Sequence, residues 1–215
     1  MKSMRNAVLK SALALAIALG SQISHADDVA PDVLVKDVTL EVIEVIRKDN
    51  GIRAGNREKL AALVETRILP HFDFDHMTRI AAARAWNVAT PDQRQALTAE
   101  FKTLLVRTYS TALSSYRDQV IEFRPLRASP GDNDVTVRSV IRQSGTAPLM
   151  MDYAMEHLAT GWKVYDITIE GVSLVTNYRA TFAATVRERG VEGLIKSLAD
   201  KNRQPAAPVS ATSPT

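Results

Sequence analysis

Between Val120 and Ile169 the chain changes its hydrophobic period from a helical to an alternating one, and no other stretch constrains the fold as much. Four runs of alternating character are separated by Ser129-Pro130-Gly131-Asp132, Ser144-Gly145-Thr146-Ala147-Pro148 and Ala159-Thr160-Gly161, which read as turns or loops. Runs joined this closely form an antiparallel meander. Period two then puts Ile121, Phe123, Val135, Val137, Ile141, Met151, Tyr153 and Met155 on one face. Glu122, Arg124, Thr136, Arg138, Asp152 and Glu156 fall on the other. One side of the predicted sheet is apolar and the other solvated. The last run, Trp162 to Ile169, divides less cleanly. Without a bulge, Trp162 and Val164 share one face, and Tyr165, Ile167 and Ile169 the other.

Helical periodicity flanks this stretch on both sides. Leu34, Val38, Val42, Val45 and Ile46 keep the spacing of one helix face, and Gly51 reads as a stop. Asn56 is placed to cap a second helix carrying Leu60, Leu63, Val64 and Ile68, which ends at Pro70. A short third helix follows the HFDFDH run, with Asp73 or Asp75 as cap and Met77, Ile80 and Ala81 inward. Thr90-Pro91-Asp92-Gln93 is a capping box with proline at the first helical position. It opens a long helix to about Tyr116, with Leu97, Phe101, Leu104, Leu105, Tyr109, Ala112, Leu113 and Tyr116 inward. After the sheet, residues 174–187 read as a helix broken at Gly190, and residues 191–199 as a final short one.

The first 26 residues have a basic start at Lys2, Arg5 and Lys10, an apolar core from Ala12 to Leu19, and the small-residue end Ser24-His25-Ala26. That pattern is a cleaved secretory signal, because the apolar core falls far short of the ~20 residues of a membrane span. No other segment is apolar enough to cross a bilayer. The leader carries three of the 27 basic residues and none of the 24 acidic ones, so the net charge of +3 disappears with it. A nucleic-acid partner therefore has no electrostatic basis. With no cysteine, neither a lipid-modified cysteine nor a disulfide framework is available. Residues 27–203 are expected to form a single α+β domain. Residues 204–215, rich in Pro, Ala, Ser and Thr, are expected to be a disordered tail.

Catalytic and metal signals are weak. The run His71-Phe72-Asp73-Phe74-Asp75-His76 offers imidazoles and carboxylates. On one helix, though, these neighbours point in different directions, and a helix cap at Asp73 or Asp75 with Phe72 or Phe74 buried is the better reading. No metal is expected. No serine sits in a Gly-x-Ser-x-Gly elbow and no glycine-rich phosphate loop occurs. Asp166 and Glu170 could form an acid–base pair, but a structural carboxylate at Asp166 and a turn role for Glu170 are favoured. The chain is therefore read as not an enzyme. The apolar and aromatic stripes fit a filled core or a lined cavity, and periodicity alone does not separate the two.

The run GWKVYDITIEGVSLVTNYR, followed by FAATVRERGVEGLIKSLADKN, resembles the end of the periplasmic phospholipid-carrier family called MlaC, the toluene-tolerance auxiliary proteins. ILPHFDFDHMTR, the Ala-rich stretch with Trp86, and ATPDQR are similar to that family's helical middle. The resemblance implies a four-stranded antiparallel sheet, curved like the nuclear-transport-factor half-open cone. Helices would close it around an apolar pocket for acyl chains. It implies a pocket lined by Leu105 and Tyr109 on the long helix, and by Ile121, Phe123, Val135, Val137, Met151, Tyr153 and Met155 on the sheet. Val164, Ile167, Val172, Leu174 and Val175 would line it at the strand-to-helix passage, with Tyr178 and Phe182 beyond.

The same resemblance implies a monomeric periplasmic carrier with no cofactor, whose cargo is a phospholipid. Its implied partners are an inner-membrane hexameric lipid-binding component of an ABC transporter and an outer-membrane lipoprotein with its porin. Carriage would preserve outer-membrane lipid asymmetry. A hopanoid or other apolar cargo remains open, as do a hydrolase or isomerase on a cone-shaped fold and an interaction protein with a solid core.

Overall fold

A computed structural model describes residues 29–114, 116–129 and 131–204. The predicted leader, and the predicted tail beyond Gln204, lie outside the described residues.

Capping chemistry sets most helix starts. Helix α1 (Pro31–Lys48) ends one step earlier than glycine placement suggested. Asp49 leaves the helical conformation, and its carboxylate accepts from Gly51 N at 2.7 Å and Ile52 N at 3.1 Å, starting the short α2 (Asn50–Arg53). Gly51, read from sequence as the stop, thus lies inside a helix. Asn56 caps α3 (Arg57–Leu63) by accepting from Lys59 N at 3.0 Å, and α3 widens into a π turn (Val64–Ile68) before Pro70. Asp73 caps α4 (Phe74–Ala82) through His76 N at 2.8 Å.

Ala83, with φ 49 and ψ −116, breaks the chain into α5 (Arg84–Val88). The capping box opens α6 (Pro91–Ser114): Gln93 N donates to Thr90 Oγ1 at 3.2 Å, and Thr90 N to Gln93 Oε1 at 3.1 Å. Both Ala112, expected inward, and most of the outer positions of α6 are solvent-facing or half-buried.

Five strands form one antiparallel meander, β1 (Val120–Phe123), β2 (Asp134–Arg142), β3 (Leu149–Leu158), β4 (Gly161–Ile169) and β5 (Val172–Ser173), in chain order. Four were expected. The fifth arises because Glu170 (φ 49) and Gly171 (φ 80) make a two-residue turn that pairs Ile169 with Val172. Positive φ at both central residues suits the twist of a hairpin, but glutamate is not a residue that announces such a turn. Beyond β5, a 3₁₀ turn (Thr176–Tyr178) leads into α7 (Arg179–Arg203), which kinks at Gly190 (φ 70) as its glycine predicts.

Apolar side chains gather in three clusters. Met77, Leu97, Phe101, Leu105, Phe182 and Leu194 unite α4, α6 and α7 into a helical body. Val35 of α1 lies with Val135, Val137, Met155 and Val164 on the sheet. Val42, Ile46, Ile52, Leu60 and Leu63 tie the end of α1 to α2 and α3. Phe72 packs against both the helical body and the sheet cluster, and its backbone bridges Val164 at the edge of β4. Among the described residues no helix is long and apolar enough to cross a membrane.

Candidate functional site

Strand register assembles the apolar face row by row. Val135, Met155 and Val164 form the first row, and Val137, Tyr153 and Ile167 the second. Phe123, Ser139, Met151 and Ile169 follow, then Ile121, Ile141 and Leu149. The single-face arrangement of β4 depends on a bulge. Met155 pairs with Val164 and Ala154 with Asp166, so Tyr165 is the extra residue. One inserted residue reverses the alternation, which brings Trp162 and Val164 onto the same face as Ile167 and Ile169. The unbulged division expected from period two therefore does not hold.

Along β3 burial falls from Met155 through half-buried Tyr153 and Met151 to exposed Leu149, while β2 stays buried through Val137 and Ser139, each 1% exposed, and opens only at Ile141. Met155 is 0% exposed and Val164 4%, Tyr153 and Ile167 are half-buried, and Leu149 at the far end is 37% exposed. Met150, Val120 and Val172 are exposed at that same end of the sheet. The opposite face carries charge pairs, Arg142 with Glu122 at 2.9 Å and Arg138 with Asp152 at 3.7 Å. Val140 is a buried exception there.

Few polar atoms enter the apolar face. Buried Ser139 lies 3.4 Å from the Tyr153 hydroxyl, which also points at Met151 Sδ at 3.9 Å. Burial pushes the Tyr153 phenol above its ordinary range. In the helical body, burial and a hydrogen bond with Tyr178 push Tyr109 up to about 12. Phe101 meets Tyr178 and Phe182 edge-to-face, with ring centroids at 5.1 and 5.3 Å, an arrangement that aromatic quadrupoles favour.

The carboxylates are committed to structure. Asp166 accepts from Ser173 Oγ at 2.5 Å and Val175 N at 3.3 Å, tying β4 to the passage that follows β5. Desolvation raises its carboxyl despite those bonds. Glu170 exchanges bonds with Met150, its carboxylate accepting from Met150 N and its own N donating to Met150 O at 3.1 Å. The HFDFDH run is a clasp. His76 Nδ1 donates to Glu156 Oε1 at 2.5 Å and its ring stacks on Tyr165 at 4.3 Å, while Asp73 N donates to Val164 O at 2.9 Å. Tyr165 in turn donates to Asp134 Oδ2 at 2.9 Å, and burial with that neighbouring charge pushes its phenol up to about 12. Among the described residues no group of three or more His, Cys, Asp or Glu is placed to hold a metal.

The sixteen positions expected to line one pocket separate into two groups. Ile121, Phe123, Val135, Val137, Met151, Tyr153, Met155, Val164 and Ile167 share the sheet face. Leu105, Tyr109, Val175, Tyr178 and Phe182 belong to the helical body. Leu174 is half-buried beside Ile167, its N donating to Ile167 O at 2.8 Å, and Val172 stands 40% exposed on β5. An apolar face is what the structure displays; an enclosed chamber lined by all these residues is not. Sequence reasoning missed Trp162, Ile169 and Phe72. The first two were hidden by the bulge, and Phe72 by an edge bridge that no local pattern signals.

A family model described as MlaC protein matches residues 36–200. Among curated relatives, the intermembrane phospholipid transport system binding protein MlaC of Haemophilus influenzae is 20% identical, over 83% of this chain and 85% of its own. Toluene tolerance protein ttg2D of Pseudomonas putida is 24% identical over 74% of each chain. A solved phospholipid-binding protein from Ralstonia solanacearum, in complex with a phospholipid, is 40% identical. It superposes with a TM-score of 0.76 over 81% of this chain and 97% of its own.

Proposed function

The chain belongs to the MlaC family, and from that premise we propose that it is a periplasmic phospholipid carrier that takes acyl chains onto the apolar face of its sheet. The observation that carries this reading is the graded face itself, closed at Met155 and open at Leu149. A face that ends in solvent suits hydrocarbon entering from that end. The Ralstonia protein, so similar in fold and bound to a phospholipid, supports the same cargo here. In the loaded state the tails would lie along the apolar face of the curved sheet.

A diacyl lipid exposes roughly 30 methylene groups, and at about 0.8 kcal/mol each its release into water costs on the order of 20 kcal/mol. Free diffusion across an aqueous space is therefore prohibitively slow. A carrier exchanges one apolar environment for another, so transfer becomes nearly isoenergetic and needs docking rather than chemistry. The docking partners are an inner-membrane hexameric lipid-binding component of an ABC transporter and an outer-membrane lipoprotein with its porin. The effect would be to maintain outer-membrane lipid asymmetry, and a hopanoid would fit the same chemistry as an alternative cargo. A hydrolase or isomerase using Asp166 as base has less support, since both its oxygens already hold Ser173 and Val175.

The test is solvent extraction of protein purified from the periplasm, followed by mass spectrometry. Near-stoichiometric phospholipid is the expected result. Protein that is folded, lipid-free and unable to take phospholipid from vesicles would refute the carrier reading, and a hopanoid in the extract would redirect it.

A further inference from the structure

At the end of α1 a cleft of about 290 Å³ is lined by Ile46, Arg47, Arg53, Tyr116, Arg117 and Asp118. Ile46 lies buried beneath it, and Tyr116 is half-buried with its hydroxyl donating to Gln119 O at 2.9 Å. Its rim carries three guanidinium groups against one carboxylate. Arg117 is held in place, its backbone N donating to Gln119 Oε1 at 2.6 Å and its Nη1 to Tyr116 O at 2.7 Å. Two arginines outside the cleft are neutralised, Arg67 by Glu41 at 2.8 Å and Arg142 by Glu122 at 2.9 Å. Arg47 and Arg53 have no hydrogen-bonding or ion-pairing partner among the described residues.

Both residues sit in the last turns of their helices, where a cation is favourable. That accounts for each basic residue singly. It does not account for two unpaired guanidinium groups and a third converging on one concavity. Like charges held together repel, and an anion with several acceptor oxygens relieves the repulsion while matching the planar donor fork of arginine.

We propose that this cleft binds a phosphate group, gripped by Arg47 and Arg53 with Arg117 at the back. Its position favours the headgroup phosphate of a lipid. Arg117 and Asp118 lead directly into β1, whose second residue, Ile121, belongs to the outermost row of the apolar face with Ile141 and Leu149. Free phosphate is the other source with the same chemistry. The headgroup source rests on the carrier reading above; the phosphate site itself does not.

The test titrates inorganic phosphate into the full chain at low salt, as purified and after delipidation, and follows ³¹P linewidth. The wild type should bind in the millimolar range and weaken as salt rises. Arg47→Gln/Arg53→Gln should lose at least about tenfold in affinity, whereas Arg67→Gln, outside the cleft, should lose nothing. If a bound lipid's phosphate fills the cleft, inorganic phosphate binds only after delipidation, and the ³¹P resonance of the bound lipid shifts in the double variant. If the cleft serves free phosphate, both forms bind equally. Equal phosphate binding by the wild type and the double variant, with an unmoved lipid resonance, would overturn the proposal. Lipid-free purified protein that still binds phosphate through these arginines would keep the site and discard the carrier.

Discussion

In the helical body Leu97 and Phe101 are 0% exposed and Leu194 2%, enclosed by α4, α6 and α7. On the sheet the same kinds of side chain go from 0% exposure at Met155 to 37% at Leu149. Both regions are apolar, but only the first is finished by its own chain. A completed core supplies stability that does not depend on a guest. An uncompleted face supplies hydrocarbon-compatible surface whose burial another molecule can complete. The two therefore should respond differently to truncation and to lipid.

The largest effect belongs to the completed core. Phe101→Ala removes a ring packed edge-to-face against Tyr178 and Phe182 and should cost about 3–5 kcal/mol in denaturant unfolding. The loss should be the same with and without lipid. A loss that depends on lipid would erase the distinction between the two regions.

Next comes the gradient within the face. Met155→Ala in the closed row should cost about 2–5 kcal/mol in either state. Met151→Ala, two rows further out, should cost the delipidated protein less than about 1 kcal/mol while reducing the extra stability that lipid confers. Reversal of that order would mean that burial along the rows does not track the guest.

A smaller effect is tied to pH. The Tyr109 phenol stands at about 12 in the folded chain against an ordinary value of 10.0. Below pH 10 it is neutral in both states and its contribution is intact. As pH rises from 10 toward 12, only the unfolded chain ionises there, so stability is lost over that window. Tyr109→Phe should flatten part of this loss in melts recorded between pH 9 and pH 12, and Met151→Ala should leave it unchanged.

A modest gain rather than a loss belongs to the α4–α5 joint. Ala83 holds φ 49 and ψ −116, a region that glycine enters without strain. Ala83→Gly should raise stability by about 1 kcal/mol, read as an increase in denaturant midpoint at constant slope.

Much of the helical frame was legible because its determinants are local. Asn56, Asp73 and the Thr90–Gln93 box each satisfy backbone donors within three residues, and Gly190 breaks α7 by its own conformation. The apolar face of β1 to β3 was legible for a similar reason, since alternation survives wherever register is unbroken. What was illegible depends on one residue more or less. The bulge at Tyr165 transfers Trp162 and Val164 to the other half of their strand's pattern, and the Glu170–Gly171 turn creates β5 from residues that read as a passage into a helix. The division of the site into a face and a closed body was also hidden. A 3.6 or 2.0 period reports which side is apolar, and not what covers it.

The most direct measurement uses a phospholipid with a photoreactive diazirine on its acyl chain, loaded from vesicles and cross-linked, with adducts located by peptide mass spectrometry. Adducts on Phe123, Met151, Tyr153 and Ile167, and none on Leu97 or Leu194, are the result expected if hydrocarbon completes the sheet face. Adducts centred on Leu97 and Leu194, or confined to the outer surface of the helices, would contradict it.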